Sequence, residues 1–163
     1  MRSGSLLLVL LVALSGCGTG DDGGERACRG TVRYGGGQGG GGHIDASFVF
    51  EPANPPCAIR GFPAVRLLDS RGQDLVPQEE GHRPVSSPHV AKMVRLVDGE
   101  RAFFIVEYQF LTGARLCREV LAVRVRLPGQ ADVQLVRIER TPEARVFNPC
   151  RGIIEVSPLD KIR

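Results

Sequence analysis

Five cysteines carry the most reactive side chains of this chain: Cys17, Cys28, Cys57, Cys117 and Cys150. Their gaps are long and contain no Cys-x-x-Cys pair, so neither a zinc site nor a thioredoxin-like redox motif is expected. The last four suit two disulfides in an oxidising compartment, whereas an odd fifth thiol in an exported chain needs another role. Three connectivities of the four are possible. We favour Cys28 with Cys57 and Cys117 with Cys150, because each pair closes a loop of about thirty residues, worth roughly 3–4 kcal/mol in the chain-entropy model.

Cys17 follows an apolar run at the start of the chain. Arg2 and then nine apolar residues, 6–14, have the n-region and h-region order of a secretory signal. The run is too short to span ~30 Å of hydrocarbon as a helix. The segment Leu14-Ser15-Gly16-Cys17 resembles the lipobox of bacterial lipoproteins, in which the cysteine receives a diacylglyceryl group and becomes residue one after cleavage. The alternative is an ordinary signal cleaved near Ala13-x-Ser15. We predict that Cys17 carries the lipid, which accounts for the odd cysteine.

Three polar residues in one stretch, His43, Asp45 and Ser47, include the residue types of a hydrolytic triad. The even positions from 44 to 50 are apolar, which predicts a half-buried strand. Side chains spaced by two on a strand project in the same direction, so the carboxylate and the hydroxyl cannot flank the imidazole as a triad requires. No Gly-x-Ser-x-Gly elbow occurs in the sequence. We therefore predict no catalytic residues and interpret these three as polar residues on a strand surface.

A second candidate cluster lies in the proline-rich stretch 77–89, where His82 and His89 accompany Glu79 and Glu80. These residue types could bind a metal ion. They lack a helical i, i+4 spacing, however, and lie in a predicted loop, which is a poor frame for a preformed site. We expect a surface loop here, with no metal and no cofactor in the protein.

The glycine tract 35–42 contains a trivial match to the dinucleotide-binding pattern G-x-G-x-x-G. No helix is predicted after it, and no Gly-Lys-Ser/Thr follows, so a phosphate cradle is not expected. Glycine-rich segments behave as flexible connections. The tract therefore predicts a mobile connection between two strands of a hairpin.

The charge distribution limits the partners. The formal net charge of +3 is mild and dispersed, so nucleic acid is not an expected partner. Arg124, Arg126, Arg137 and Arg140 could form a basic face on neighbouring strands. Arginine at outward strand positions is usually a solvated surface. The functional alternative is that these residues bind an anionic lipid or a cell-wall polymer.

We expect the chain to divide into three parts: a lipoprotein signal peptide at 1–16, the lipidated cysteine with a flexible tether at 17–27, and a β-sandwich domain at 28–163. Turn signals such as Asp98-Gly99 separate the short apolar runs of the domain, and no convincing amphipathic helix occurs. This pattern predicts an all-β domain, an antiparallel immunoglobulin-like β-sandwich of about 7–9 strands with two disulfides. The principal predicted strands are 28–34, 43–51, 64–69, 90–97, 101–110, 120–127, 133–138 and 152–156.

The order of several short motifs resembles the domain of unknown function 4232 family, over roughly residues 27–158. The motifs are Gly42-His43, the stretch Pro-Pro-Cys57 followed by Ala-Ile-Arg-Gly61-Phe62-Pro63, the Asp98-Gly99 pair, Cys117 and Cys150-Arg-Gly152. Asn54 corresponds to the asparagine that the family usually has before the cysteine. The resemblance implies a secreted or lipid-anchored domain, mostly known from actinobacteria, with an immunoglobulin-type sandwich. It implies no activity, because the family has none established.

Together these observations predict a lipid-anchored lipoprotein at the outer face of the cytoplasmic membrane. We expect a binding or interaction module of the cell envelope rather than an enzyme. Its partners are the membrane, through the lipid anchor, and an envelope protein or polymer that the sequence does not identify. The alternatives are a structural spacer domain without a specific ligand and an envelope hydrolase whose site has no recognisable motif.

Overall fold

The structure, a computed structural model, describes residues 25–40, 43–75, 90–109, 119–138 and 154–162, without the side chains of His43 and Gln109. Within these ranges the protein is all-β and contains no helix, so no described helix could cross a membrane. The strands are β1 Gly30–Gly40, β2 His43–Pro52, β3 Cys57–Ile59, β4 Ala64–Leu68, β5 Val94–Leu96, β6 Ala102–Gln109, β7 Ala122–Arg126, β8 Val133–Arg137, β9 Ile154–Val156 and β10 Asp160–Lys161.

The strands form three sheets in which every strand pair is antiparallel. The largest has five strands: β1, β2 and β6 in that order, with β9 and β10 both paired to β6. A second sheet has the order β4-β7-β8, and β3 pairs with β5 in a third. The central strand β6 therefore pairs with strands that are distant from it along the chain: β2 before it, and β9 and β10 after it.

The inward faces of the sheets share one hydrophobic core. Every second residue of β2 from Ile44 to Phe50 is buried, and the same holds for β6 from Ala102 to Tyr108. Phe48 and Phe104 stack with ring centroids 5.1 Å apart, and Leu67 and Val123 enter the same cluster from the second sheet. Burying a side chain of this size contributes about 1.5–3 kcal/mol. The alternation that the sequence shows is therefore the alternation between core and outer face.

Ser157 bridges the interruption between β9 and β10. Its hydroxyl accepts a hydrogen bond from the amide of Ile105 at 2.8 Å, and its own amide donates to the Ile105 carbonyl at 2.8 Å. Leu159 then inserts into the core and is 2% exposed. Pairing along the edge of β6 thus continues past Pro158, which has no N–H to donate.

The glycine tract contradicts one prediction. A mobile connection over 35–42 was expected, but β1 continues to Gly40 and its register with β2 extends to the pair Gly40–His43. The register shifts between Tyr34 and Gly36, where Gly36 has a φ of 117°, a conformation that glycine adopts without steric cost. The prediction was wrong because it weighed the low strand propensity of glycine and not the partner strand, which pairs with every position from Gly36 to Gly40.

Other predicted elements have the expected type but different bounds. The strand predicted at 90–97 is only Val94–Leu96, while β3 and β10 were not predicted. The predicted disulfide between Cys28 and Cys57 is confirmed, with Cα atoms 4.8 Å apart. Cys17, Cys117 and Cys150 lie outside the described residues, as does the stretch 77–89.

Candidate functional site

Two of the residues considered for a hydrolytic triad lie on the outer face of β2. Ser47 donates its hydroxyl hydrogen bond to the carbonyl of Gly36 at 3.1 Å, so it supports the irregular part of β1. Asp45 lies opposite Gln38 of β1 and opposite Glu107 of β6. The side chain of His43 is not among those described. The hydroxyl of Ser47 therefore has a structural hydrogen bond to the backbone.

Carboxylates of three adjacent strands form a row on this same outer face. Asp45 lies opposite Glu107, and Glu107 lies opposite Glu155 of β9. Glu107 is only 5% exposed although it points away from the core. Like charges directly opposite each other on a sheet are destabilising. Within the described ranges no three acidic, histidine or cysteine side chains are placed to hold a metal ion. The histidines and glutamates of 77–89 lie outside those ranges.

The first half of β1 is fixed to the second sheet by two glutamines. Gln134 of β8 accepts a hydrogen bond from the amide of Val32 at 2.8 Å and donates one to the carbonyl of Gly30 at 2.9 Å. Gln130 donates to the carbonyl of Cys28 at 2.8 Å. The side-chain amide of Gln134 both accepts and donates a hydrogen bond, as a peptide unit does. It therefore provides the backbone groups of β1 with the partners that a neighbouring strand would provide. These bonds join the edges of two sheets.

Asn54 anchors the chain just before β1. Its side chain accepts a hydrogen bond from the amide of Arg29 at 2.6 Å and donates one to the carbonyl of Ala27 at 3.0 Å. The amide of Ala58 donates to the carbonyl of Arg26, so the entering segment also runs along β3. The Cys28–Cys57 disulfide lies between these two sets of bonds. Sequence analysis singled out Asn54 only through the family resemblance; its geometry shows a structural role.

Beyond Val32 the edge of β1 borders an open groove of about 780 Å³. Gly35, Gly36, Gly37 and Gln38 line one side, and Leu135 and Arg137 of β8 lie on the other. Ligand sites typically have volumes of about 300–1,000 Å³. Because the glycines have no side chains, the groove reaches around β1 to Asp45 and Ser47.

The outer face of the second sheet carries a mixed basic and apolar surface. The cross-strand register places Arg126 opposite Val133, Arg124 opposite Leu135 and Ala122 opposite Arg137. Residues opposite each other in an antiparallel pair share a face. Val133 and Leu135 are each 57% exposed, and the three arginines are exposed as well. We call this surface the arginine face; it consists of Arg124, Arg126, Val133, Leu135 and Arg137.

Several other arginines of the described chain have acidic partners. On the outer face of the largest sheet, Glu51 lies 2.7 Å from Arg33 and 3.8 Å from Arg101. Arg66 of β4 lies opposite Arg124 but pairs with Asp74 at 2.6 Å.

The arginine face differs in this respect. Within the described part of the chain, Arg124, Arg126 and Arg137 form no ion pair and no side-chain hydrogen bond. Sequence analysis had named these three as a possible basic face, and the structure places them together. Arg140, the fourth, lies outside the described residues. The sequence predicted only a strand at 133–138 and did not single out Val133 and Leu135 as exposed.

The model of one protein family, described as Domain of unknown function (DUF4232), matches residues 27–160. The chain belongs to this family. The DUF4232 match begins at Ala27, whose carbonyl accepts a hydrogen bond from Asn54, and it covers every strand from β1 to β9. No curated protein matches the chain, and no solved structure does. The description of the DUF4232 domain states no activity.

Proposed function

We propose that this DUF4232 protein is a lipid-anchored lipoprotein whose domain binds an anionic component of the cell envelope at the outer face of the cytoplasmic membrane. The lipobox-like Leu14-Ser15-Gly16-Cys17 behind an apolar run supports the anchor. The disulfide between Cys28 and Cys57 supports an oxidising compartment, because such bonds are rare where thiols are kept reduced. The protein acts by binding, not by catalysis.

The domain is proposed to be an immunoglobulin-like sandwich. In that fold the strands A, B and E lie side by side in one sheet, and C, F and G lie in the other. The orders β1-β2-β6 and β4-β7-β8 correspond to these two sets, and both sheets contribute to one core. The strand β9 then pairs with β6 at the position that strand D occupies in the standard fold.

A second disulfide, between Cys117 and Cys150, is part of the same proposal. The strand β6 ends and β9 begins at one end of their pair, since Tyr108 lies opposite Ile154. Likewise β7 begins where β8 ends, since Ala122 lies opposite Arg137. Cys117 precedes β7 and Cys150 precedes β9 by a few residues. Titration of the unfolded, unreduced protein should find no free thiol among Cys28, Cys57, Cys117 and Cys150; two free thiols would contradict the pairing.

The arginine face carries the proposal of a binding function. Guanidinium groups match carboxylate and phosphate groups with two parallel hydrogen bonds. Arg124 lies opposite Arg66, and Arg126 lies opposite Ala64, and neither has an acidic partner on the described strands. The opposition of Arg124 and Arg66 lowers stability, because like charges directly opposite each other repel. Two exposed aliphatic side chains, Val133 and Leu135, lie among these charges. An anionic partner with some apolar surface is what this combination fits best.

A photo-crosslinking amino acid at position 135 in intact cells tests the binding function. The matched control is position 31, because Thr31 is exposed on the outer face of the largest sheet. We expect an adduct with one envelope component from position 135, identified by mass spectrometry, and none of it from position 31. Equal adducts from both positions, or none from either, would favour a spacer domain without a ligand. The Cys17→Ala chain checks the anchor, since it should leave the membrane fraction or remain unprocessed.

A further inference from the structure

We infer that the arginine face rests on the anionic phospholipid surface of the membrane that holds the anchor. This inference depends on the proposed function, because it takes Cys17 as the lipid attachment site. It adds the identity of the anionic partner and an orientation of the domain. The evidence is the position at which the tether enters the domain, the chemistry of the arginine face and the charges on the opposite side.

The tether enters the domain beside β8. The carbonyl of Cys28 accepts the hydrogen bond from Gln130, which lies in the connection that leads into β8. Gln134, the neighbour of Val133, bonds to Gly30 and Val32. Even fully extended, the chain from Cys17 to Cys28 spans at most about 40 Å. A lipid on Cys17 therefore keeps the domain within about 40 Å of the bilayer, which lets the arginine face reach it.

The composition of the face favours a bilayer over a soluble polyanion. Arginines bind phosphate groups bidentately, and each basic residue near an anionic membrane surface strengthens binding about fivefold. Aliphatic side chains next to such arginines can enter the boundary between headgroups and acyl chains. Val133 lies opposite Arg126 and Leu135 opposite Arg124, so each apolar group has a cation directly beside it. A water-soluble polymer offers no apolar layer to these two side chains.

The opposite side of the domain is unsuited to an anionic surface. On the largest sheet, Arg33 and Arg101 share Glu51, and Glu155 adds a carboxylate on the same face. An anionic membrane gains little from a surface whose positive and negative charges balance. The charges on the two outer faces therefore give the domain one preferred orientation on the membrane.

The test uses the full-length lipidated protein in vesicles of phosphatidylcholine alone and of phosphatidylcholine with phosphatidylglycerol. Hydroxyl-radical footprinting measures how accessible the side chains of Val133 and Leu135 are to solvent. We expect both to be labelled several-fold less on the anionic vesicles than on the neutral ones, and high salt to remove the difference. Val97, which is 53% exposed on another strand connection, serves as the internal reference.

Two variants with the same loss of charge separate the face from the net charge. Arg124→Gln with Arg126→Gln should lower the ratio of docked to undocked domain on the order of twentyfold. Arg33→Gln with Arg101→Gln removes as much charge from the other face and should leave the protection unchanged. Circular dichroism of each variant verifies the fold.

The failures are distinguishable. A protein that does not stay with either vesicle contradicts the lipid anchor and so the proposed function. A protein that is anchored but equally labelled on both vesicles overturns the inference alone, and the crosslink from position 135 then identifies another partner. Protection on neutral vesicles after addition of inorganic phosphate assigns the face to a soluble anion and also overturns the inference.

Discussion

The two halves of β1 are held to the protein in different ways. The first half, from Gly30 to Val32, together with the two residues before it, has a disulfide, two hydrogen bonds with Asn54 nearby, and three hydrogen bonds with glutamine side chains. The second half, from Gly35 to Gly40, pairs with the backbone of β2 and has the Ser47 hydroxyl as an added support. Both halves thus pair with the backbone of β2, and the first half is held in addition by the disulfide and by more side-chain hydrogen bonds.

This difference shows how a sequence can place rigidity where it is needed. Side chains from distant parts of the chain fix the first half, which is the point where the proposed tether pulls on the domain. Apart from the exposed Gln38, the glycine half has no side chains to pack, so its stability depends on β2. Local stability varies across a structure with the number of such contacts. We therefore expect substitutions in the two halves to differ in their effect on unfolding.

The largest effect should come from the disulfide in the first half. Replacing Cys28 and Cys57 together by alanine should lower the free energy of unfolding by roughly 3–4 kcal/mol, because it releases a loop with a sequence separation of 29 in the unfolded chain. Urea denaturation of the wild-type and the double variant measures this. A loss under ~1 kcal/mol would mean that Asn54 and the glutamines fix this half without the disulfide, and the comparison would need revision.

The second effect comes from the side-chain amide that bonds β1. Gln134→Ala removes the hydrogen-bond partners of the Val32 amide and the Gly30 carbonyl together. It should lower the free energy of unfolding by about 2 kcal/mol, because backbone polar groups without a partner in a part-buried site are destabilising. Gln38→Ala is the matched control in the glycine half, because Gln38 is exposed, and should change stability by less than ~0.5 kcal/mol. Equal effects of the two substitutions in thermal unfolding would remove the distinction between the halves.

A smaller effect is expected at the irregular point of the glycine half. Gly36→Ala should cost about 1–2 kcal/mol, because its φ of 117° is unfavourable for a residue with a Cβ atom. No atom lies within 4 Å of the added Cβ, so the cost arises from the backbone and not from a clash. Chemical denaturation measures it. An unchanged stability would show that the backbone at the register shift can adopt another conformation without loss of stability, and that the glycine half is less constrained than described.

The smallest effect should come from Ser47. Ser47→Ala removes the hydrogen bond to the Gly36 carbonyl and should cost about 0.5–1 kcal/mol. Thr31→Ala, at an exposed position of the first half, is the control and should have no measurable effect on Gly36. Amide hydrogen exchange should become faster from Gly36 to Gln38 in the Ser47 variant alone. Faster exchange throughout β1 would mean that the two halves open as one unit.

Sequence patterns predicted the parts of the fold whose stability comes from burial. The alternation of Ile44 to Phe50 and of Ala102 to Tyr108 indicated both the strands and their inward faces. Loop closure between Cys28 and Cys57 was also inferable from the chain alone, because the entropy of a loop depends on its length. The glycine strand was not, since its pairing depends on a partner and not on its own residues.

The candidate site was only partly accessible in this way. Arg124, Arg126 and Arg137 were identified because arginine at alternate strand positions points outward. The exposure of Val133 and Leu135 depends on which face of β8 is turned away from the core, and the sequence of β8 does not indicate this because apolar residues stand on both faces. The roles of Gln130 and Gln134 were likewise missed, because a polar residue in or before a strand gives no signal of its distant partner.

The amide of Gln134 also bears on how the protein behaves when it is crowded. An outermost strand with free N–H and C=O groups is a template on which another chain can add, and this is a common route to aggregation. By bonding to Gly30 and Val32, one side chain occupies that template on β1 and does so within the same molecule. At the high local concentration that the proposed membrane anchor would produce, the start of β1 therefore stays closed to strands of neighbouring copies.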